Sequence, residues 1–389
     1  MDLAKFLTVV LVGLGLTNDV GAQPFQLGHL TMNFTDVSRN NRVIATEIYY
    51  PAQMAGDNVP VAGSSTLFPL LSFGHGFVMT WDAYQNYWSA LVPQGYIMLF
   101  PKTEGSLSPS HLDFGKDLAF LIDQMAVLNG NPTSIFYNKV SAMNAVMGHS
   151  MGGGASFLAT QQSSNIKTIV NFAPAETNPS AVTAASLSTI PTLIFSGAND
   201  CVTPPAVHQI PMYNSSMANC KTLITINGGS HCQMANSNFF CNLGEGSCSP
   251  QATISRATQQ SVITSYLLPW LNFQLKNDCA QGTVFDNQIV IDTAISFQKN
   301  CIQCNALTTE TNVRNGIRVY PNPVTDFITM AMENPSDYQV NLYDSRGRLL
   351  LSKAFGQTVS IDVSDFQDGL YFYSVLQSGK VLANGKFIK

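Results

Sequence analysis

Charge is what this chain has least of. Only 11% of its 389 residues are Asp, Glu, Lys or Arg, and the formal net charge is -5 at pH 7. That balance supplies neither a basic stripe for nucleic acid nor a cationic grip on anionic membranes. Past residue 22 there is no apolar run approaching the roughly twenty residues that a membrane-spanning helix needs, so stable membrane insertion is not expected. Cysteine is missing before position 201: all eight lie between Cys201 and Cys304. Such a cluster would be odd in a reducing cytosol and makes sense as disulfides after export. Cys301-x-x-Cys304 has no second Cys-x-x-Cys and no histidine cluster beside it. It therefore reads as a structural staple, and no metal or cofactor is expected in this chain.

Against these gaps stands a 45% hydrophobic composition with 10% aromatics, enough for a sizeable core in one large domain plus a smaller one. Lys5 precedes the apolar run Phe6 to Leu16, and Val20-Gly21-Ala22 offers small residues for a peptidase to cut before Gln23. Residues 1–22 are expected to be a secretory signal.

Two alternating stretches, Gln26 to Phe34 and Val43 to Tyr50, read as an antiparallel pair at a sheet edge. Short apolar runs then alternate with helical segments: Leu67 to Phe73, Tyr96 to Phe100, Asn144 to Met147, Thr168 to Phe172, Thr192 to Phe195 and Thr222 to Ile226. Near-continuous apolar strands suit a parallel sheet covered on both faces. Phe114, Leu118, Leu121, Ile122, Met125 and Leu128 line one helix face, Tyr84 to Leu91 suggests a second helix, and Ser255 to Gln274 a last one. The expected fold class is α/β, with an eight-stranded, mostly parallel sheet. Phe285 to Phe297 reads as one or two extra strands, closing a catalytic domain at 23–304. Residues 305–315 have linker composition. Beyond them, 316–389 break into short alternating runs that read as a small β-sandwich.

Chemistry concentrates at Gly148-His149-Ser150-Met151-Gly152. A strand runs into this Gly-x-Ser-x-Gly pentad and a helix follows, the order of the nucleophile turn in an α/β-hydrolase fold. Ser150 would stand exposed at the sheet edge in a strained conformation that needs glycine at 148 and 152. A serine hydroxyl is a weak nucleophile at neutral pH, so it needs a base and a group that orients the base. In this fold the order is Ser, acid, His on later strands. His29, His75, His111 and His149 precede Ser150, and His208 follows the best acid too closely. His231, in Gly229-Ser230-His231 after the strand Thr222 to Ile226, is the expected base. Asp200 is the expected acid, being the only Asp between Ser150 and His231, with Glu176 the rival carboxylate. The oxyanion hole is expected from the N–H groups of Phe77 and Met151, with Gly76 allowing close approach and His75 ordering the loop. Only about twenty residues, Ala173 to Pro191, separate two strands where related hydrolases carry a cap. The cleft is therefore expected to be uncovered and rimmed by Phe77, Met151 and Trp81, which suits a bulky ester. For the disulfides, Cys201 with Cys232 is the first pairing and Cys201 with Cys220 its rival, beside Cys241 with Cys248 and Cys279 with Cys301.

The ordered set Gly148 to Gly154, Gly76-Phe77, Ala173-Pro174-Ala175, Thr192 to Phe195 and Gly229-Ser230-His231 resembles the cutinase and poly(ethylene terephthalate) hydrolase group over roughly residues 24–276. The resemblance implies a serine esterase acting on polyesters or short-chain esters, with substrate contacts at Gly76, Phe77, Met151, Trp81 and Ala175. In many of these hydrolases a tryptophan occupies the place of Ala175 and stacks on an aromatic substrate ring. Val319-Tyr320-Pro321-Asn322-Pro323, Gly369-Leu370-Tyr371 and the closing Gly385 to Lys389 resemble the sorting domain read by the type IX secretion system. That implies the export machinery as a partner and an extracellular or cell-surface location. A monomer without a nucleic-acid partner is expected.

Overall fold

A computed structural model of the chain describes residues 25–63, 67–301 and 317–389. The expected signal (1–22), the linker (305–315) and Cys304 lie outside the described residues. The chain divides into two compact units, at Met1–Cys304 and Asn305–Lys389.

In the larger unit β1 (Gln26–Asp36) and β2 (Arg42–Ala52) pair antiparallel along their whole length. Asp36 accepts the N–H of Ser38 to start the turn between them, and Asn40 and Asn41 finish it at positive φ. Asparagine tolerates that left-handed conformation better than most side chains. The two-residue β3 (Gly56–Asp57) lies parallel to β1. β4 (Leu70–Gly74), β5 (Ile97–Pro101), β6 (Asn144–His149), β7 (Ile166–Phe172), β8 (Thr192–Gly197) and β9 (Cys220–Ile226) form the parallel centre. β10 (Ile295–Cys301) runs antiparallel to β9. The order across the sheet is β10-β9-β8-β7-β6-β4-β5-β2-β1-β3. The sheet has ten strands and not the eight expected, because β3 and β10 join its two edges.

Helices α1 (Gln85–Leu91), α2 (His111–Gly130), α3 (Met151–Ala159), α4 (Ala181–Ser186), α5 (Gln209–Ser215), α6 (Phe239–Glu245), α7 (Arg256–Lys276) and α8 (Cys279–Ile291) complete this unit. Successive strand residues point to opposite faces, so the sheet feeds two cores. Ala145, Met147, Val170, Phe172, Leu193 and Phe195 pack with α1, α7 and α8. Val146, Ile169 and Ile194 pack with α2, α3, α4 and α5. Every residue of β4, β5, β6 and β8 is buried, which is why those runs lack alternation in sequence.

One expected element is corrected. Residues 279–291 are helix, not strand: Gly282, Phe285 and Ile289 are buried at spacings of three and four, and Asp278 caps the first turn through the N–H groups of Ala280 and Gln281. Of the stretch expected as extra strands, only Ile295–Phe297 falls in a strand, β10, which runs on to Cys301 and joins the sheet.

The smaller unit contains β11 (Ile317–Tyr320), β12 (Phe327–Met332), β13 (Tyr338–Tyr343), β14 (Leu349–Phe355), β15 (Thr358–Asp362), β16 (Leu370–Gln377) and β17 (Lys380–Ile388). Its sheets, β11-β12-β15 and β14-β13-β16-β17, share one core built on Ile328, Met330, Val340, Leu342, Tyr373 and Val375. No helix among the described residues is long and apolar enough to cross a membrane.

Candidate active site

β6 ends at His149 and α3 starts at Met151, so Ser150 is the single residue of the turn, at φ 55° and ψ -120°. A non-glycine residue holds such a conformation only when its surroundings enforce it. Here the Ser150 N–H donates to Phe172 O at 3.0 Å, and its carbonyl accepts from Gly154 and Ala175. Neighbouring backbones press close: a Cβ on Gly148 would fall 2.3 Å from the Gly152 carbonyl carbon, and one on Gly152 would fall 2.1 Å from Gly74 O. Glycine is thus required at 148 by the first turn of α3 and at 152 by the end of β4. Ser150 is 8% exposed, recessed where the sequence suggested it would project. Its hydroxyl has no hydrogen-bond partner among the described residues.

Asp200 and His231 come together on loops at the carboxyl ends of β8 and β9. His231 Nδ1 lies 2.9 Å from Asp200 Oδ2, and both residues are at most 5% exposed. The other carboxylate oxygen, Oδ1, accepts the N–H groups of Val202 at 2.9 Å and Thr203 at 2.8 Å. Thr203 Oγ1 stands 2.9 Å from Asp200 Oδ2 and 3.0 Å from His231 Nδ1. Buried Gln259 on α7 brackets the histidine loop by accepting the Ser230 N–H and donating to Ser230 O. The ring of His149, next to Ser150, lies 4.7 Å from the His231 ring, centroid to centroid, which brings the three elements to one place. Neither Thr203 nor Gln259 was singled out from the sequence. Thr203, three residues past the acid, was findable as a local turn partner; Gln259, 28 residues past His231 on another element, was not.

The loop after β4 carries Gly76 and Phe77. Gly76 donates its N–H to the Tyr84 hydroxyl at 2.7 Å, and its carbonyl accepts from Met79. Among the described residues the N–H groups of Phe77 and Met151 have no protein acceptor. The Phe77 side chain is 45% exposed while Met151 is buried. His75 orders this loop, its ring nitrogens 2.9 Å from Gly76 O and 2.9 Å from Thr103 O; burial holds its pKa below the ordinary 6.5.

The remaining expected positions are distributed as follows. Ala175 is half-buried and tied through its N–H to Ser150 O at 2.9 Å. Trp81 packs on Trp88 at 5.5 Å and Tyr49 at 5.8 Å, in an aromatic cluster that includes His29. Glu176, the rival acid, is occupied elsewhere: its carboxylate accepts the Val182 N–H at the start of α4, and its own N–H goes to His208 Nδ1. Between β7 and β8 only the six-residue α4 intervenes, so no cap covers the turn from that side.

The disulfide pairings are corrected. Cys201 joins Cys248, Cys232 joins Cys241, Cys220 joins Cys301, and Cys279 is also disulfide-bonded. The loops of Asp200 and His231 are braced, but through the 232–248 segment: Cys241 on α6 bonds to Cys232, and Cys248, just past α6, bonds to Cys201. Cys220 and Cys301 face one another across the β9–β10 pair.

Comparison with known proteins shows which families the chain is similar to. Residues 23–248 match the family described as PET hydrolase-like, and residues 318–389 match the secretion system C-terminal sorting domain. The chain is similar to Cutinase 1 of Thermobifida cellulosilytica, 35% identical over 92 residues, covering 23% of this chain and 34% of the relative. It is similar to a cutinase of Thermobifida fusca (strain YX), 35% identical over 92 residues, covering 23% and 29%. With Cutinase est1 of Thermobifida alba it shares 24% identity over 186 residues, covering 47% and 56%. The chain thus spans from under a third to just over half of the length of these relatives. The sorting tail and the cutinase relatives make this a secreted or cell-surface protein.

Proposed function

Because the chain belongs to the PET hydrolase-like family, we propose that it is a serine carboxylester hydrolase that cleaves polyester bonds, such as those of poly(ethylene terephthalate), and short-chain esters. The observation that carries this reading is the buried Asp200–His231 hydrogen bond beside a serine held at φ 55° between β6 and α3.

Asp200 accepts from His231 Nδ1, which leaves Nε2 as the lone-pair nitrogen. His231 takes the Ser150 proton as Oγ attacks the ester carbonyl. The negative charge that develops on the carbonyl oxygen is received by the Phe77 and Met151 N–H groups, which no acceptor among the described residues occupies; one such donor contributes about 3 kcal/mol to the transition state. The protonated imidazole then passes its proton to the leaving alkoxide, and an acyl group remains on Ser150. Water, deprotonated by His231, repeats the attack and releases the acid. Gly76, Phe77, Met151, Trp81 and Ala175 are the expected substrate contacts, and no metal or cofactor enters the scheme. In the same proposal the β-sandwich of residues 317–389 is read by the type IX secretion machinery, and the enzyme acts as a monomer after a signal at 1–22 is removed.

A lipase or general carboxylesterase without polymer activity is the second reading. Ala175 favours it, since no ring stands there to stack on an aromatic substrate, and so does Trp81, whose ring is engaged by Tyr49 and Trp88. Ser150→Ala should abolish turnover of a nitrophenyl ester with thermal unfolding unchanged; retained turnover removes the assignment. Product release from a polyester film against that from a triglyceride emulsion separates the two substrate readings.

A further inference from the structure

Tyr84 is buried at the start of α1, and its hydroxyl is a meeting point. It accepts the Gly76 N–H at 2.7 Å, lies 3.0 Å from His149 Nδ1 and 3.4 Å from Met79 Sδ. The crowding is tight: a Cβ on Gly76 would fall 2.8 Å from Met79 Sδ, 3.2 Å from His149 Nδ1 and 3.3 Å from the Tyr84 hydroxyl. With Gly76 donating to it, the hydroxyl has one proton to give. Imidazole nitrogen is the better acceptor, a thioether being a weak one. His149 is fully buried and kept neutral, first by burial and then by the neighbouring His231, so it can take that proton at Nδ1. On its other side the same ring packs 4.7 Å from His231.

We propose that the Tyr84 hydroxyl and the His149 ring form a positioning relay, which holds the Gly76–Phe77 backbone and the His231 ring in a fixed relation across Ser150. This rests on the esterase reading above. The oxyanion donor and the base sit on loops about 150 residues apart in sequence (Phe77 and His231), and no hydrogen bond joins them directly among the described residues. Tyr84 and His149 supply the connection: one end fixes where the Phe77 N–H points, and the other is the wall against which the base rests. Displacing a preorganised donor by a fraction of an ångström weakens its contact with the developing charge more than its contact with the bound ester. The relay should therefore act on kcat and leave KM nearly alone.

Tyr84→Phe removes one oxygen and leaves the Gly76 N–H and His149 Nδ1 without partners. On a soluble nitrophenyl ester we expect kcat to fall ten- to a hundredfold with KM within twofold. His149→Leu should fall similarly. His149→Asn, whose amide oxygen occupies nearly the place of Nδ1, should recover most of that loss. The second readout needs no turnover: in the Tyr84→Phe protein the Gly76 amide and the His231 ring signals should both move in nuclear magnetic resonance spectra. An unchanged kcat together with unmoved Gly76 and His231 signals would overturn the relay. If the native chain hydrolyses no ester, the functional reading fails by itself, and the resonance shifts alone decide whether Tyr84 positions both loops.

Discussion

Replacing Asp200 by asparagine tests the acid by chemistry, not by volume. The two oxygens of Asp200 have different tasks: Oδ1 accepts the Val202 and Thr203 N–H groups, and Oδ2 faces His231 Nδ1. An asparagine there must keep its oxygen toward the two N–H donors, since an NH2 turned that way would bury two donor–donor contacts. The amide NH2 is then presented to His231 Nδ1, which becomes an acceptor. The imidazole proton moves to Nε2, the nitrogen that must be bare to take the Ser150 proton. With geometry intact and the tautomer inverted, kcat should drop on the order of ten-thousandfold, about 5 kcal/mol in barrier height. Stability should fall by only about 1–2 kcal/mol, because both backbone N–H groups keep an acceptor that has lost its charge. The assay is nitrophenyl butyrate hydrolysis beside urea unfolding, with Glu176→Gln run in parallel. Glu176 caps α4 and faces His208, so its amide should keep kcat within about threefold, as removal of a surface cap charge has only a local effect. An Asp200→Asn enzyme retaining a tenth of native activity while Glu176→Gln loses a thousandfold would refute the argument and move the acid to position 176.

The Cys201–Cys248 bridge spans a sequence separation of 47 and Cys232–Cys241 one of 9, so in the chain-entropy model the double serine replacements should cost about 4 and about 2.5 kcal/mol respectively in urea unfolding; equal losses would argue that strain or residual structure dominates. Acid stability should carry a histidine signature. Burial holds both His75 and His149 below the ordinary value of 6.5, so the unfolded chain binds more protons than the folded one once the pH drops below 6.5. The stability present above that pH is lost on acidification, at up to about 1.4 kcal/mol per pH unit for each ring. Urea midpoints from pH 7 to pH 5 should fall less steeply in His149→Asn than in the native chain, and an equal slope would remove His149 from the account.

How much of this could be read from sequence depends on how far each feature reaches along the chain. The turn at Ser150 is local, a strand, five residues and a helix, and its glycines announce it. Asp200 and His231 stand out in the sequence because each follows an apolar strand with little between, and the structure brings the two side chains within 2.9 Å. The disulfides were not, because the outcome depends on where α6 lies, and its exposed Phe239, Phe240 and Leu243 give no inward face to recognise. α8 was misread because Val284, Val290 and Ile291 are β-branched residues on its outer side, which imitate a strand and blur the spacing of Phe285 and Ile289. β14 is not legible in the sequence, since none of its seven residues is buried and the stretch carries no alternation. The Tyr84–His149 contact joins residues 65 apart, and each looked like an ordinary core residue alone.

The parts of the site are held with unequal stiffness. Ser150 sits between β6 and α3, and Gly152 is in backbone contact with Gly74 at the end of β4, so displacing the proposed nucleophile would disturb the sheet. Asp200 and His231 sit past the ends of β8 and β9, beyond the last sheet pairing at Gly197 and Ile226. Their restraints are of other kinds: Asn199 donating to Gly229 O at 2.8 Å, Gln259 gripping Ser230, and two disulfides converging on the 232–248 segment. Sheet hydrogen bonds therefore hold the proposed nucleophile, while loop hydrogen bonds and covalent bridges hold the proposed acid and base. Reduction of the disulfides should accordingly weaken the Asp200–His231 geometry before it disturbs Ser150, so that mild thiol treatment lowers turnover while a fluorophosphonate probe, given enough time, still labels the serine. Loss of labelling and turnover in step, with the fold retained, would show that the bridges hold the nucleophile as well.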